Sequence, residues 1–264
     1  MIDLPPANPP RDQWDRPVID GVPYTRASTL AKALDDQGSL IQWSARMAVV
    51  GLARSKDLIA AAAATDAEDK QALNRIVDRA KDRAQSMARA DVGTAIHAVT
   101  VMLDKGEPVD GQPHEVLVSA RAYCNTMKAR NLVPLAAEVF VVCPELKAAG
   151  SFDRLLKGPT RTLIGDLKTS ARPDVVRYSA LAWAVQLTVY ARGTPWIPGR
   201  GLVTWEELGL PQPDRDRGLV IHVIQGTDQV RMYSIDLQAG YEAAQLARDV
   251  RAWRTRKDLT TAIR

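Results

Sequence analysis

The sequence predicts an α/β protein with a mixed central sheet flanked by helices and an all-helical N-terminal part. Three observations carry this. Apolar residues recur at helical spacing through Leu40, Ile41, Trp43, Met47 and Val50. Three strand-like runs then follow closely, at residues 137–142, 150–156 and 162–168. A helix, two further strands and a last helix complete the order, a pattern that suits helices packed on a sheet.

Residues 1–26 are rich in proline and read as an arm or irregular lead-in, with Ile19-Asp20-Gly21-Val22 as a turn. Ser28 or Thr29 can cap a helix that begins near Leu30. Over residues 66–90 charge dominates, with Arg75, Arg79, Lys81, Arg83 and Arg89. Such a helix is most often a solvated face and less often a positive stripe for nucleic acid. Residues 93–103 form a helix that carries His97, and residues 114–131 form another. Beyond the three strand-like runs, a helix spans residues 175–191. Residues 193–217, with Trp196, Trp205 and several prolines and glycines, read as a long loop or insertion. Strands near 219–224 and 229–235 precede a helix over 239–256. The organisation is an arm (1–26) and one domain (27–264), itself a helical part (27–92) and a core (93–264).

A chain of 264 residues with 46% hydrophobic and 25% charged residues is ordinary globular material. Its net charge of +4 mildly favours a polyanionic partner. No apolar run approaches membrane-spanning length, and the acidic, proline-rich start is unlike a signal peptide, so no membrane partner and a soluble, cytoplasmic location are expected. Cys124 and Cys143 are too few for a four-cysteine zinc or iron–sulfur site and read as buried free thiols.

The chemistry concentrates at Asp153 and at Asp166-Leu167-Lys168. Side chains on a strand alternate, so Ile164, Asp166 and Lys168 share one face. With Gly158 and Pro159 as the central residues of a hairpin, Asp153 falls opposite Ile164 and diagonal to Asp166 on that face. Paired carboxylates hold hard cations such as Mg²⁺ or Mn²⁺, and the Leu167 carbonyl is a further oxygen ligand. Lys168 can then orient or deprotonate a water and stabilise phosphate charge. An acid-x-lysine tripeptide is cheap: Glu68-Asp69-Lys70 and Glu145-Leu146-Lys147 also match. Only the third stands on a strand below a Gly-x-x-Asp. His97 adds an imidazole for a metal if its helix packs beside the strands. Gln186 and Tyr190, four apart, share one helix face and can orient the lysine or hold a phosphate. Glu138, at the start of the first strand, can reach the metal or a basic residue on the DNA side, or serve only as an edge-strand charge.

Taken in order, His97, Glu138, Gly150-x-x-Asp153, Asp166-x-Lys168 and Gln186-x-x-x-Tyr190 resemble the RecB-like branch of the PD-(D/E)xK nucleases. That branch includes phage recombination exonucleases of the lambda exonuclease and RecE type and CRISPR-associated nucleases. The resemblance covers roughly residues 93–192. It implies a PD-(D/E)xK nuclease-like fold, one or two Mg²⁺ or Mn²⁺ ions on His97, Asp153, Asp166 and the Leu167 carbonyl, and Lys168 as the catalytic lysine. Gln186 and Tyr190 would lie beside the active site and DNA. The implied activity is exonucleolytic hydrolysis of linear double-stranded DNA in phage-type recombination or DNA processing, in the host cytoplasm if phage-encoded. A single-strand annealing protein is an implied partner; some members close into homo-oligomeric rings. Arg121, Arg172 and Arg177 are candidate phosphate contacts.

Two departures stand out. Many members carry an acid four residues after the histidine; here that position is Val101, with Asp104 three residues further. Two cysteines exclude the cluster-bearing members as templates. Three rivals remain: a nucleic-acid-binding module of the same fold without catalysis, a thiol hydrolase built on Cys143 and His97, and a sequence- or structure-specific endonuclease.

Overall fold

The computed structural model describes residues 1–35, 38–85, 90–174 and 176–260. Arg89 and Val175, which belong to the expected charged helix and to the helix over 175–191, lie outside these residues. Residues 1–35 and 96–264 form one compact unit, and residues 36–95 a second.

The second unit is helical. α2 (Gly38–Ala53) packs on α4 (Lys70–Gln85), and α3 (Lys56–Ala64) packs on both. Contact is closest at Gly51, where any Cβ would fall 1.8 Å from the carbonyl oxygen of Ala80, so only glycine fits. Leu58, Ile76 and Ala80 are buried between the helices. The charges of α4 face outward, and Arg83 holds Asp57 of α3 with two bonds of 2.6 and 2.9 Å. They serve as a solvated, ion-paired surface.

The first unit is a mixed α/β structure around a sheet of eight strands among the described residues. Its strands are β3 (Thr25–Arg26), β4 (Val133–Cys143), β5 (Ala148–Lys157), β6 (Thr162–Ser170), β7 (Thr194–Ile197), β8 (Gly201–Leu202), β9 (Arg217–Ile224) and β10 (Val230–Asp236). The order is β10-β9-β6-β5-β4-β7-β8. β6 and β9 run parallel, β3 adds in parallel to β5, and the other neighbours are antiparallel. α1 (Ala27–Ala31), α7 (Val176–Arg192) and α8 (Leu237–Arg254) pack together over one face, where Leu187, Val189, Phe152, Ile164 and Val220 form the main core. α6 (His114–Ala129) lies against β9 and β10, burying Val116, Ala120, Tyr123 and Met127. α5 (Ala90–Lys105) carries His97.

Several expectations need correction. The lead-in is ordered into the sheet unit: β1 (Val18–Ile19) and β2 (Val22–Pro23) form a hairpin, and Ile19 is buried. The expected turn is there, with Asp20 and Gly21 both at positive φ (49° and 77°), the tight pair that suits a two-residue hairpin. α1 starts at Ala27, so Ser28 and Thr29 lie inside it and neither caps it. The 193–217 stretch contains β7, paired to β4, because the alternating Pro195 and Ile197 side chains find buried positions there.

Candidate functional site

β6 pairs with β5 only over Arg154–Lys157, as Arg154↔Gly165, Leu155↔Ile164, Leu156↔Leu163 and Lys157↔Thr162. Further along the same edge, β5 pairs with β3 at Ala148 and Ala149. Between them the edge of β5 is open, so β5 and β6 fork just past Arg154 and Gly165. Asp153 and Asp166 are the first residues of the two prongs.

This corrects the expected register. The Gly158 N–H donates to the Arg161 carbonyl at 2.8 Å, which makes Pro159 and Thr160 the central residues of the hairpin. The strands are therefore offset by two positions from the expected pairing, and Asp153 stands opposite Asp166 itself instead of diagonal to it. A shift of two keeps both side chains on the same face.

The alternation of faces breaks at this place on two strands at once. Ala136 and Val139, three apart, lie in the same core, as do Phe152 and Leu155. Regular strands would send residues three apart to opposite faces. The extra residues are Glu138 and Asp153, which stand opposite each other between the pairs Ala137↔Arg154 and Val139↔Phe152. Glu138 takes φ of 53°, a left-handed conformation that costs a non-glycine residue about 1 kcal/mol or more. Irregularities of this kind re-aim side chains at functional sites. Glu138 thus lies well inside β4 and does not begin the strand.

The carboxylates are held tightly. The Leu167 N–H donates to Asp153 Oδ2 at 2.6 Å. Residues of a strand point N–H and C=O to the same side, so the Leu167 carbonyl also faces the fork. Lys168 Nζ lies 2.5 Å from Asp166 Oδ2. Lys168 is thus the charged partner of the buried Asp166 Oδ2. Burial pushes Asp166 up to about 6; Lys168 opposes the rise and Asp153 adds to it. Asp153 is raised by burial too, against the pull of Lys168 and the Leu167 N–H. His97 Nδ1 sits 3.8 Å from Asp153 Oδ2, and burial lowers the imidazole to about 4, so it is neutral at pH 7. Glu138 is raised by burial and by Asp153.

Tyr190 closes the opposite side. Gln186 Nε2 donates to its hydroxyl at 2.7 Å, and its ring packs on Phe152 with centroids 5.9 Å apart. The ring also explains Gly150: a Cβ there would lie 3.2 Å from Tyr190 Cε1. A cavity of about 200 Å³ beside this pair is lined by Arg11, Arg26, Ser28, Gly150 and Ser151. Val101 and Glu138 line another, with Lys105 and the first residues of the lead-in; Ile2 pairs with Ala136 there and Lys105 binds Asp3 at 2.8 Å.

Arg154 and His222 escaped sequence reasoning, and the role of Asp104 becomes clear only in the structure. Arg154 is fully buried: its Nε donates to Asp104 Oδ2 at 2.6 Å, Nη2 to Thr100 Oγ1 at 3.0 Å and Nη1 to the Asp153 carbonyl at 2.8 Å. Asp104 also accepts from Tyr123 at 2.9 Å, so its role is to fix α5 to β5. His222, opposite Lys168 in β9, is fully buried, with Nε2 2.7 Å from Ser170 Oγ. Ser170 spends its proton on the Arg172 carbonyl, so Nε2 carries the imidazole proton and Nδ1 is left without a partner among the described residues.

Among the described residues no hydrogen bond draws the candidate phosphate contacts Arg121, Arg172 and Arg177 into this cluster. Arg121 is exposed on α6, Arg172 is paired with Asp174 at 2.9 Å, and Arg177 is exposed at the start of α7. Cys143 is fully buried and pushed up to about 11 by burial, the reverse of what a thiolate nucleophile needs. No helix among the described residues is long and apolar enough to cross a membrane.

Among the described residues no three His, Cys, Asp or Glu side chains stand close enough together to hold a metal ion by themselves. The donor set at the fork still fits a hard divalent ion: two facing carboxylates and a backbone carbonyl between them. No family model matches the chain, and no curated protein is similar enough to match. Among solved structures, the crystal structure of SSO0001 matches 61% of this chain and 72% of its own at 15% identity, with a TM-score of 0.28, a likeness too low to carry an argument.

Proposed function

We propose that the protein is a metal-dependent deoxyribonuclease of the PD-(D/E)xK type, acting as an exonuclease on linear double-stranded DNA. The observation that carries this reading is the fork itself: Asp153 and Asp166 face each other, Asp166 is buried, and Lys168 Nζ stands 2.5 Å from its Oδ2. The order of motifs from His97 to Tyr190 supports the family, and the mixed sheet with helices is compatible with it.

Asp153, Asp166 and the Leu167 carbonyl would hold one or two Mg²⁺ or Mn²⁺ ions, with His97 beside them as a neutral imidazole. Such an ion supplies charge neutralisation and makes water a competent nucleophile near neutral pH. Lys168 orients the attacking water and donates to a non-bridging phosphate oxygen as charge builds on it. Attack in line breaks the bond to the 3′ oxygen, leaving a 3′-hydroxyl and a 5′-phosphate. Gln186 and Tyr190 hold the scissile phosphate, and Arg11 and Arg26, both paired with Asp15, line the cavity beside them. Contacts confined to phosphates give little sequence preference.

The test uses purified protein, end-labelled linear duplex and a covalently closed circle of the same sequence, with Mg²⁺ or Mn²⁺. Degradation of the linear DNA alone, abolished in Asp166→Asn, is the expected result. Duplex binding without degradation at stoichiometric protein sinks the reading; cutting of the closed circle replaces exonuclease by endonuclease.

A further inference from the structure

A second concentration of positive charge lies between the lead-in and the end of α8. Trp14, Arg16, Arg26, Thr29, Arg251 and Thr255 line a cavity of about 460 Å³, within the range of ligand-sized pockets. Its rim is pinned. Asp12 Oδ1 accepts from the backbone N–H groups of Trp14 and Arg16 at 3.0 and 2.9 Å, and Asp12 Oδ2 holds the Arg16 guanidinium at 2.6 Å. On this fixed turn Trp14 is 66% exposed, with the Arg16 guanidinium 4.9 Å from the centre of its ring. Core packing gives no reason to present an indole to water in this way.

The charges around the pocket do not balance. Asp12 offsets Arg16, and Asp15 is shared by Arg11 and Arg26. Arg251 has no carboxylate within ion-pair distance among the described residues, and the charges facing it are those of Arg254 and Arg16. Thr29 Oγ1 accepts from Arg26 Nε and keeps its own proton to donate. A guanidinium without a partner, a free hydroxyl donor and an exposed ring on one concave surface match the parts of a nucleotide: phosphate on the cations, base on the ring.

We infer that this pocket binds one nucleotide of a single-stranded DNA segment, with the base stacked on Trp14 and the phosphate on Arg251. A free phosphate would use the arginine and leave the indole idle. The choice of DNA as the polymer rests on the nuclease reading; Arg26 lines both this pocket and the cavity beside Gln186 and Tyr190, while Trp14 and Arg251 line only this one.

The experiment measures binding of labelled oligo-dT by fluorescence anisotropy in EDTA, where no divalent ion supports cleavage. Trp14→Ala and Arg251→Ala should each weaken binding about tenfold. Arg251→Ala should also lower the salt dependence by about one phosphate contact, and Trp14→Ala should leave it unchanged. An abasic strand should bind wild type as weakly as oligo-dT binds Trp14→Ala. Wild-type affinity in both variants, each with an unaltered circular dichroism spectrum, overturns the proposal, as does equal binding of abasic strand and oligo-dT. Loss of binding in the variants combined with a wild type that degrades no duplex condemns the nuclease reading alone; duplex degradation combined with unchanged binding in both variants condemns this pocket alone.

Discussion

Arg154 and Asp104 form a buried ion pair, Nε to Oδ2 at 2.6 Å, that ties α5 to β5 one residue from Asp153. Removing one partner leaves the other charge buried and alone. Arg154→Ala is therefore expected to destabilise the protein by about 3–5 kcal/mol, read from urea unfolding. The double variant Arg154→Met with Asp104→Leu should recover most of that loss. It should not recover nuclease activity, because the Asp153 carbonyl has lost its donor.

The pH dependence of stability has a definite sign. In the folded protein Asp166 titrates near 6, above its ordinary 3.8. Its contribution is fully present below about pH 4 and is lost as pH rises through about 6. Asp166→Asn removes that loss, so in EDTA it should exceed wild type by about 2–3 kcal/mol at pH 7 and match it near pH 4. His97 runs the other way: lowered from 6.5 to about 4, it contributes above about pH 6.5, and that is lost as pH falls through about 4. His97→Gln should flatten the acid side of the curve. Parallel curves for wild type and Asp166→Asn would show that Asp166 is not a strained carboxylate.

Divalent ions should act on the same group. Mn²⁺ at a hundred times its dissociation constant stabilises a folded protein by about 2.7 kcal/mol. Wild type should gain that in thermal unfolding, and Asp166→Asn should gain little.

Lys168→Met should lower the single-turnover cleavage rate by about 10²–10³ with the fold intact, since one donor to developing charge is removed. Its ammonium also opposes the rise of Asp166, so the acid limb of the pH–rate profile should move to higher pH in the variant.

Gly150→Ala places a methyl group 3.2 Å from the Tyr190 ring, which Phe152 and Gln186 hold in place. A loss of about 1–3 kcal/mol in urea unfolding is expected. Tyr190→Phe keeps the ring and removes only the acceptor of Gln186, at about 1 kcal/mol, and separates packing from chemistry.

Strand periodicity made much of this legible. Asp166 and Lys168 had to share a face, Asp153 had to join them for any register of the same parity, and Gln186 and Tyr190 had to share theirs. What escaped had weak local signals. Gly158-Pro159 marks a turn without saying which two residues lie at its centre, and that choice moved the pairing by two. Glu138 adopts a conformation usually left to glycine or asparagine, so nothing in its identity announces it. Arg154 reads as a solvated charge inside a strand; only the meeting of Asp104, Thr100 and Tyr123 makes its burial possible.

The paired irregularity at Glu138 and Asp153 divides the sheet into scaffold and cargo. Each strand carries one supernumerary residue, and the two face each other, so removing both would restore an uninterrupted in–out rhythm without disturbing Ala137↔Arg154 or Val139↔Phe152. Removing either alone would leave the other as a one-residue bulge between the same two pairs. The acid that begins one prong of the fork is thus a residue the architecture itself could do without.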